Sequence, residues 1–204
     1  SAGSASGVLG NPLGYNRVYV HLDGVFSETA WWEGLGKGNC FVTNGPLLRV
    51  RANGRLPGAV FSAEASEPLG LELDVQLTTI DRLAKLEVIQ NGRVTGVIPC
   101  NGDRDQAHKL AVNVSESGWL LVRGIAENPK TFRFASTAPF YVELGQEKRR
   151  ISKASSLFFL DWVNERIERV KGNVTDQSKQ EEVLHFHESA RKFWQKRVKE
   201  SNAE

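Results

Sequence analysis

Leu69-Gly70-Leu71-Glu72-Leu73-Asp74-Val75-Gln76-Leu77-Thr78-Thr79 decides the fold. Leu71, Leu73, Val75 and Leu77 fall on one side of an extended chain. Glu72, Asp74 and Gln76 fall on the other, because successive strand side chains point to opposite faces. A segment that is apolar on one face and polar on the other is a half-buried strand, the pattern of an antiparallel sheet. Working outward, 47–52 reads as a strand ending at Asn53-Gly54, and 86–90 and 93–98 flank Asn91-Gly92. Asn-Gly is a strong hairpin signal because both residues tolerate positive φ. Further strands are expected over 109–114, 119–125 and 140–144. Roughly eight short strands with turn residues between them, and no crossover helices, predict an antiparallel immunoglobulin-like β-sandwich over 46–146.

The flanks differ from this centre. Residues 17–22 read as a strand, with Val18 and Val20 on one side. Ser27 suits a helix N-cap, and 29–36 a short helix carrying Trp31, Trp32 and Leu35, which glycines 34, 36 and 38 weaken and end. Residues 41–43 then lead to an Asn44-Gly45-Pro46 turn. Past Gln146, the basic run Lys148-Arg149-Arg150 reads as a solvated connector. Leu157, Leu160, Val163, Ile167 and Val170 recur at three and four residues, one face of a helix. Ser155 or Ser156 is expected to cap its start, and Gly172-Asn173 to end it. Ser178-Lys179-Gln180-Glu181 has capping-box spacing before a second helix with Val183, Phe186, Ala190 and Phe193 as its apolar face. Lys192, Lys196, Arg197 and Lys199 gather where the helix dipole favours cations. The expected class is therefore mainly β with α: a strand-helix segment over 1–45, a sandwich over 46–146 and a helical hairpin over 147–204. The hairpin's apolar stripes call for an apolar partner, either the sandwich or a second copy.

Bulk properties exclude several roles. The 204 residues include 26 basic and 24 acidic side chains, a net charge of +2. That balance gives no reason to expect a nucleic-acid partner or an anionic membrane. No apolar run approaches the roughly 20 residues of a membrane span. Residues 1–12 are small and polar, unlike a signal peptide. The absence of Met suggests processing or excision, and an exported precursor that lost its signal would fit; location is otherwise open. For Cys40 and Cys100, two free buried thiols are favoured over a disulfide.

Three stretches carry a resemblance: Gly14-Tyr15-Asn16-Arg17-Val18-Tyr19-Val20, Ala30-Trp31-Trp32-Glu33-Gly34-Leu35, and Gly38-Asn39-Cys40-Phe41-Val42-Thr43-Asn44-Gly45-Pro46. Together they resemble the tail of PHP (polymerase and histidinol phosphatase) metallohydrolases of the carbaryl-hydrolase-like branch. That family ends its metal site with a motif close to Gly-Ser-Asp-x-His, followed by a strand, a helix and a Gly-x-x-Phe-Val-Thr-x-Gly-Pro exit. The corresponding place here is Gly3-Ser4-Ala5-Ser6-Gly7, where Ala5 and Gly7 offer no ligand atom. The family's His-x-His motif is absent. The likeness extends through Asn91-Gly92-Arg93, Gly118-Trp119-Leu120-Leu121-Val122-Arg123 and Phe134-Ala135-Ser136-Thr137-Ala138-Pro139, with Ser136 where related tails often carry His. The resemblance implies a non-catalytic C-terminal accessory region with no cofactor of its own. Its partner would be an upstream or separate metallohydrolase-like domain, or a second copy joined through the C-terminal helices.

Other chemistry is weighed residue by residue. His21 and Asp23 are the metal candidates, since i and i+2 on a strand share a face; two ligands fall short of the three or four that zinc takes. His185 and His187 stand about 200° apart on a helix and do not share an ion. Neither cysteine has a histidine and acid nearby in sequence. No Gly-x-Ser-x-Gly elbow precedes a helix. Trp31, Trp32, Trp119, Trp162 and Trp194 would suit a glycan platform or ordinary packing. Asn113-Val114-Ser115 and Asn173-Val174-Thr175 are glycosylation sequons. The alternatives are thus a free-standing sandwich that binds glycan or protein, and a hydrolase with a non-standard metal site.

Overall fold

The computed structural model describes residues 3, 13–64, 68–145 and 150–204. The chain divides into two compact units, Ser1–Lys148 and Arg149–Glu204. In chain order the first unit contains β1 (Arg17–Val20), α1 (Glu28–Gly36), β2 (Cys40–Thr43), β3 (Leu47–Ala52), β4 (Val60–Ala63) and β5 (Leu69–Thr78). There follow β6 (Lys85–Gln90), β7 (Arg93–Pro99), β8 (Asp105–Val114), β9 (Gly118–Ala126), β10 (Arg133–Thr137) and β11 (Phe140–Leu144). The second unit contains α2 (Lys153–Asn173) and α3 (Gln177–Lys199).

The alternating stretch is the middle strand of a three-stranded antiparallel sheet, β3-β5-β8. Leu71, Leu73, Val75 and Leu77 are buried as the period-2 pattern requires. A second sheet runs β1-β2-β10-β9-β11-β4, with the β6–β7 hairpin joined to β9. The hairpin turns at Asn91 (φ 49°) and Gly92 (φ 85°), the two positive-φ residues a tight turn needs. Asn53 and Gly54 also have positive φ, but they close only an Ala52–Arg55 bridge, because β3 pairs with β5 and not with the strand that follows it. Both sheets feed one apolar core. Leu48, Val50, Leu73 and Val75 from the smaller sheet join Leu86, Val88, Leu120, Val122, Phe140 and Val142 from the larger. Each such side chain contributes roughly 1.5–3 kcal/mol on burial.

Several expectations are corrected here. One strand pair is parallel: β4 lies beside β11, with Tyr141 opposite Val60 and Leu144 opposite Ala63. The long connection between these two strands leaves their direction unconstrained, whereas a two-residue turn forces an antiparallel pair. β4 and β10 lie outside the strands expected from alternation. β4 shows one buried apolar side chain, Phe61, and β10 carries Arg133 and Ser136, so neither reads as amphipathic. β10 and β11 follow one another along the same edge of β9. At the break between them the Thr137 hydroxyl accepts from Val122 N at 3.2 Å, replacing a ladder bond. β1 and β2 also belong to the larger sheet, where β2 pairs with β1 on one side and β10 on the other.

In the second unit, Ser152 caps α2, accepting from Ser155 N, so the cap falls earlier than Ser155 or Ser156. Asp176 caps α3, accepting from Lys179 N, and Ser178 lies inside the helix. A carboxylate is favoured there by the helix dipole as well as by hydrogen bonding. Ile167 and Val170 are buried, and Phe159 stacks on Trp194 with ring centroids 4.7 Å apart. On α3 Leu184, His187, Ala190, Arg191, Trp194 and Val198 are among the less exposed positions, whereas Val183, Phe186 and Phe193 are exposed. Of the expected face Ala190 is retained, and the aromatic contact falls instead on Trp194, which stacks on Phe159. Among the described residues no helix is long and apolar enough to cross a membrane.

Candidate functional site

The three stretches that carry the family resemblance are joints of the first unit. Tyr15 reaches the β9–β10 loop, where its hydroxyl meets the Thr131 hydroxyl and the Arg133 guanidinium lies over its ring, 5.8 Å from the centroid. Ser27 caps α1 by accepting from Ala30 N at 3.1 Å. Gly34 is buried, and a Cβ there would sit 2.6 Å from Val20 Cγ1, so glycine lets α1 lie directly on β1. The Gly34 carbonyl accepts from Asn39 N, and Asn39 O accepts from His21 N, which returns the chain antiparallel to β1.

The Thr43-Asn44-Gly45-Pro46 exit is a buried polar knot. Thr43 Oγ1 donates within 2.6 Å of Pro46 O, lies 2.9 Å from Phe134 O, and accepts from Gly45 N at 2.9 Å. Asn44 Nδ2 donates to Phe132 O at 2.9 Å, and its Oδ1 accepts from Phe134 N at 2.8 Å. Arg133 Nη1 donates to Asn44 O. The knot binds β2 to β10 at the point where the chain leaves the larger sheet and enters the smaller one through β3. Thr43 is fully buried and Asn44 nearly so, so each polar atom needs its partner. This signal was present in the sequence as a motif, but its partners lie about ninety residues away, with |i−j| of 88 to 91.

The metal candidates do meet. His21 Nε2 lies 3.2 Å from Asp23 Oδ1, just beyond the end of β1, with the Asp23 side chain 93% exposed. Among the described residues, no three His, Cys, Asp or Glu side chains gather as a metal site would need. Ala5 and Gly7 lie outside the described residues. His187 Nδ1 is 2.9 Å from Val183 O, and His185 sits edge-on to Phe186. Cys40 and Cys100 are free and half-buried, and burial pushes both thiols above the usual cysteine range. Both are therefore protonated at neutral pH and poor nucleophiles. Trp31 packs edge-on against Trp32 on α1, and Trp119 lies in β9; Trp162 and Trp194 belong to the second unit.

Sequence reasoning missed a cleft of about 630 Å³ in the first unit. Its floor is the paired Tyr19 and Phe41, stacked at 5.1 Å with Arg17 over the tyrosine ring. Its wall is the edge of β3, with Arg49 and Arg51 at the rim and Leu56 and Pro57 at one end. Asp74 also reaches the rim, where Lys109 holds it at 3.2 Å; the carboxylates of Glu72 and Asp74 raise the pKa of that ammonium.

No family model matches the sequence, and neither a curated protein nor a solved structure is found similar to it.

Proposed function

We propose that this chain is a non-catalytic accessory region similar to those that follow PHP-type metallohydrolase domains, built around an immunoglobulin-like sandwich. The observation that carries the reading is the knot at Thr43 and Asn44. The most specific of the family-like motifs spends its polar atoms on holding β2, β10 and the entry to β3 together. The residues at Gly34 and Tyr15 do comparable work. A turn whose buried Thr43 and Asn44 side chains are engaged in this way serves to orient a module. Two sheets with inward-facing alternation around one core support the sandwich part of the reading.

The test is the reading frame upstream of Ser1. The proposal expects a preceding region with His-x-His and further acidic and histidine ligands, and metal-dependent ester or phosphate hydrolysis that resides in that region. A frame that begins at this chain, or a longer protein whose hydrolysis is abolished by His21→Ala, would overturn it. The cleft beside β3 favours a second reading, a binding module.

A further inference from the structure

The helical unit has a seam but almost no core. Phe159 stacks on Trp194 at one end, and Gln180 Nε2 donates to Lys171 O and Val174 O at the other, so α2 and α3 run antiparallel. Only Ser156, Ile167 and Val170 of α2 are buried, and α3 buries no residue. Units this small seldom stay folded on so little apolar burial without a disulfide, a metal or an oligomeric partner. Large apolar side chains meanwhile stay outside: Phe158 is 63% exposed, Trp162 53%, Phe186 67% and Phe193 49%.

These four share one face. On α2, Phe158 and Trp162 each come one residue before a seam position, Phe159 and Val163. On α3, Phe186 and Phe193 come one residue before His187 and Trp194. One residue is about 100° of helix rotation. The exposed stripes therefore stand at about a right angle to the seam, and in antiparallel helices the same offset brings both to the same side. The hollow there is lined by Trp162, Val163 and Arg166 from α2 together with Phe186, His187 and Ala190 from α3. In a four-helix bundle each helix meets two neighbours at about a right angle, and α2 and α3 each have one of the two. Along α3, Val183, Phe186, Ala190 and Phe193 follow at intervals of three and four, the spacing of a helix–helix seam.

Charge identifies the occupant. The first half of α3 holds Glu181, Glu182 and Glu188 against Lys179. The second half holds Arg191, Lys192, Lys196, Arg197 and Lys199 with no carboxylate. A helix polarised in this way is repelled by a parallel copy of itself and attracted by an antiparallel one. Arg197 lies over the Phe193 ring, at the rim of the apolar face.

We propose that this face is the interface with a second copy of the chain, in a twofold four-helix bundle where each α3 lies antiparallel to the other α3 and each α2 to the other α2. Ala190 sits near the twofold axis, Phe186 of one copy meets Phe193 of the other, and Glu182 of one copy comes beside Arg197 of the other. Apolar burial supplies the affinity, and the charges fix the direction. This assignment does not rest on the metallohydrolase reading.

The test is sedimentation equilibrium on the whole chain. Expected is a mass twice 22.6 kDa that falls on dilution. Phe186→Ser and Trp162→Ser, at exposed positions on the two helices, should each weaken the dimer roughly tenfold or more. Glu182→Arg and Arg197→Glu should each weaken it too, and the double variant should regain the parent's dimer constant, since the swapped charges meet across the interface. The charge variants alter no buried side chain, so they probe the interface even where circular dichroism shows that a serine variant has lost helix. A monomer at about 100 μM would overturn the second copy as occupant. A dimer indifferent to both serine variants would overturn the site. A double charge variant no tighter than the two single ones would overturn the antiparallel pairing.

Discussion

At the residue scale, the positions that matter most are those where two backbones or a buried polar atom leave no room for another choice. Gly58 has φ of 89°, and a Cβ there would lie 1.8 Å from the carbonyl oxygen of Lys37. Its N–H donates to Pro139 O, so the local chain is held from both sides. Gly58→Ala is expected to cost at least about 2 kcal/mol, through strain and a backbone clash together, read as a lower urea midpoint. Thr43→Val keeps the shape of a fully buried side chain and removes a hydroxyl that serves three backbone groups. About 1–3 kcal/mol should be lost, because Pro46 O and Gly45 N lose their hydroxyl partner while Phe134 O keeps Asn44 N; a variant as stable as the parent would show the knot to be ornamental. Some of this was legible in the sequence. The Thr43-Asn44-Gly45-Pro46 turn is visible as a turn, and Gly34 as a helix breaker. That Thr43 answers Phe134, or that Gly34 is small to admit Val20, depends on pairings set by the tertiary fold.

At the scale of elements, period-2 alternation located β3, β5 and β11 to within a residue, because each has one face in the core. It failed for β4 and β10, whose short spans have too few buried side chains to make a pattern. The Ser27 cap of α1 was legible, whereas the caps of α2 and α3 fall upstream of the expected serines, at Ser152 and Asp176, because several nearby oxygens can serve the first turn. Cross-strand pairs make a further prediction. Glu87 and Arg123 are opposite each other on β6 and β9, with Arg123 Nη2 2.6 Å from Glu87 Oε2 and Lys85 at 3.0 Å from Oε1. Hydrogen bonds from Arg123, then Lys85, hold the Glu87 carboxyl below the usual glutamate range. A depressed folded pKa gives stability that is complete above the unfolded pKa of about 4.3 and lost as pH falls through the folded value. The gap in urea midpoint between the parent and Glu87→Gln should therefore be wide at about pH 7 and narrow as pH falls below about 4.3. A gap of constant width would mean that the pair contributes nothing through its charge.

At the scale of the whole molecule, the chain is two units with separate sources of stability. Every residue of the main core cluster lies between Leu48 and Leu144. Residues 1–148 alone are expected to unfold in one cooperative step, as domains of under about 150 residues generally do; a gradual transition in near-ultraviolet circular dichroism would contradict this. The β-rich centre and the C-terminal helices were legible because their hydrophobic periods differ, 2 against 3.6. The cleft was not, since its lining comes from β1, β2, β3 and β5, segments far apart in sequence that no local pattern brings together. The central claim is that the family-like motifs here build an accessory module whose chemistry is supplied elsewhere. Metal content after growth with added zinc and manganese tests it most directly, on the parent chain and on His21→Ala/Asp23→Ala. The account predicts far less than one metal per chain in both, and no metal-dependent ester or phosphate hydrolysis. One metal per chain in the parent that is lost in the double variant, together with turnover, would contradict it.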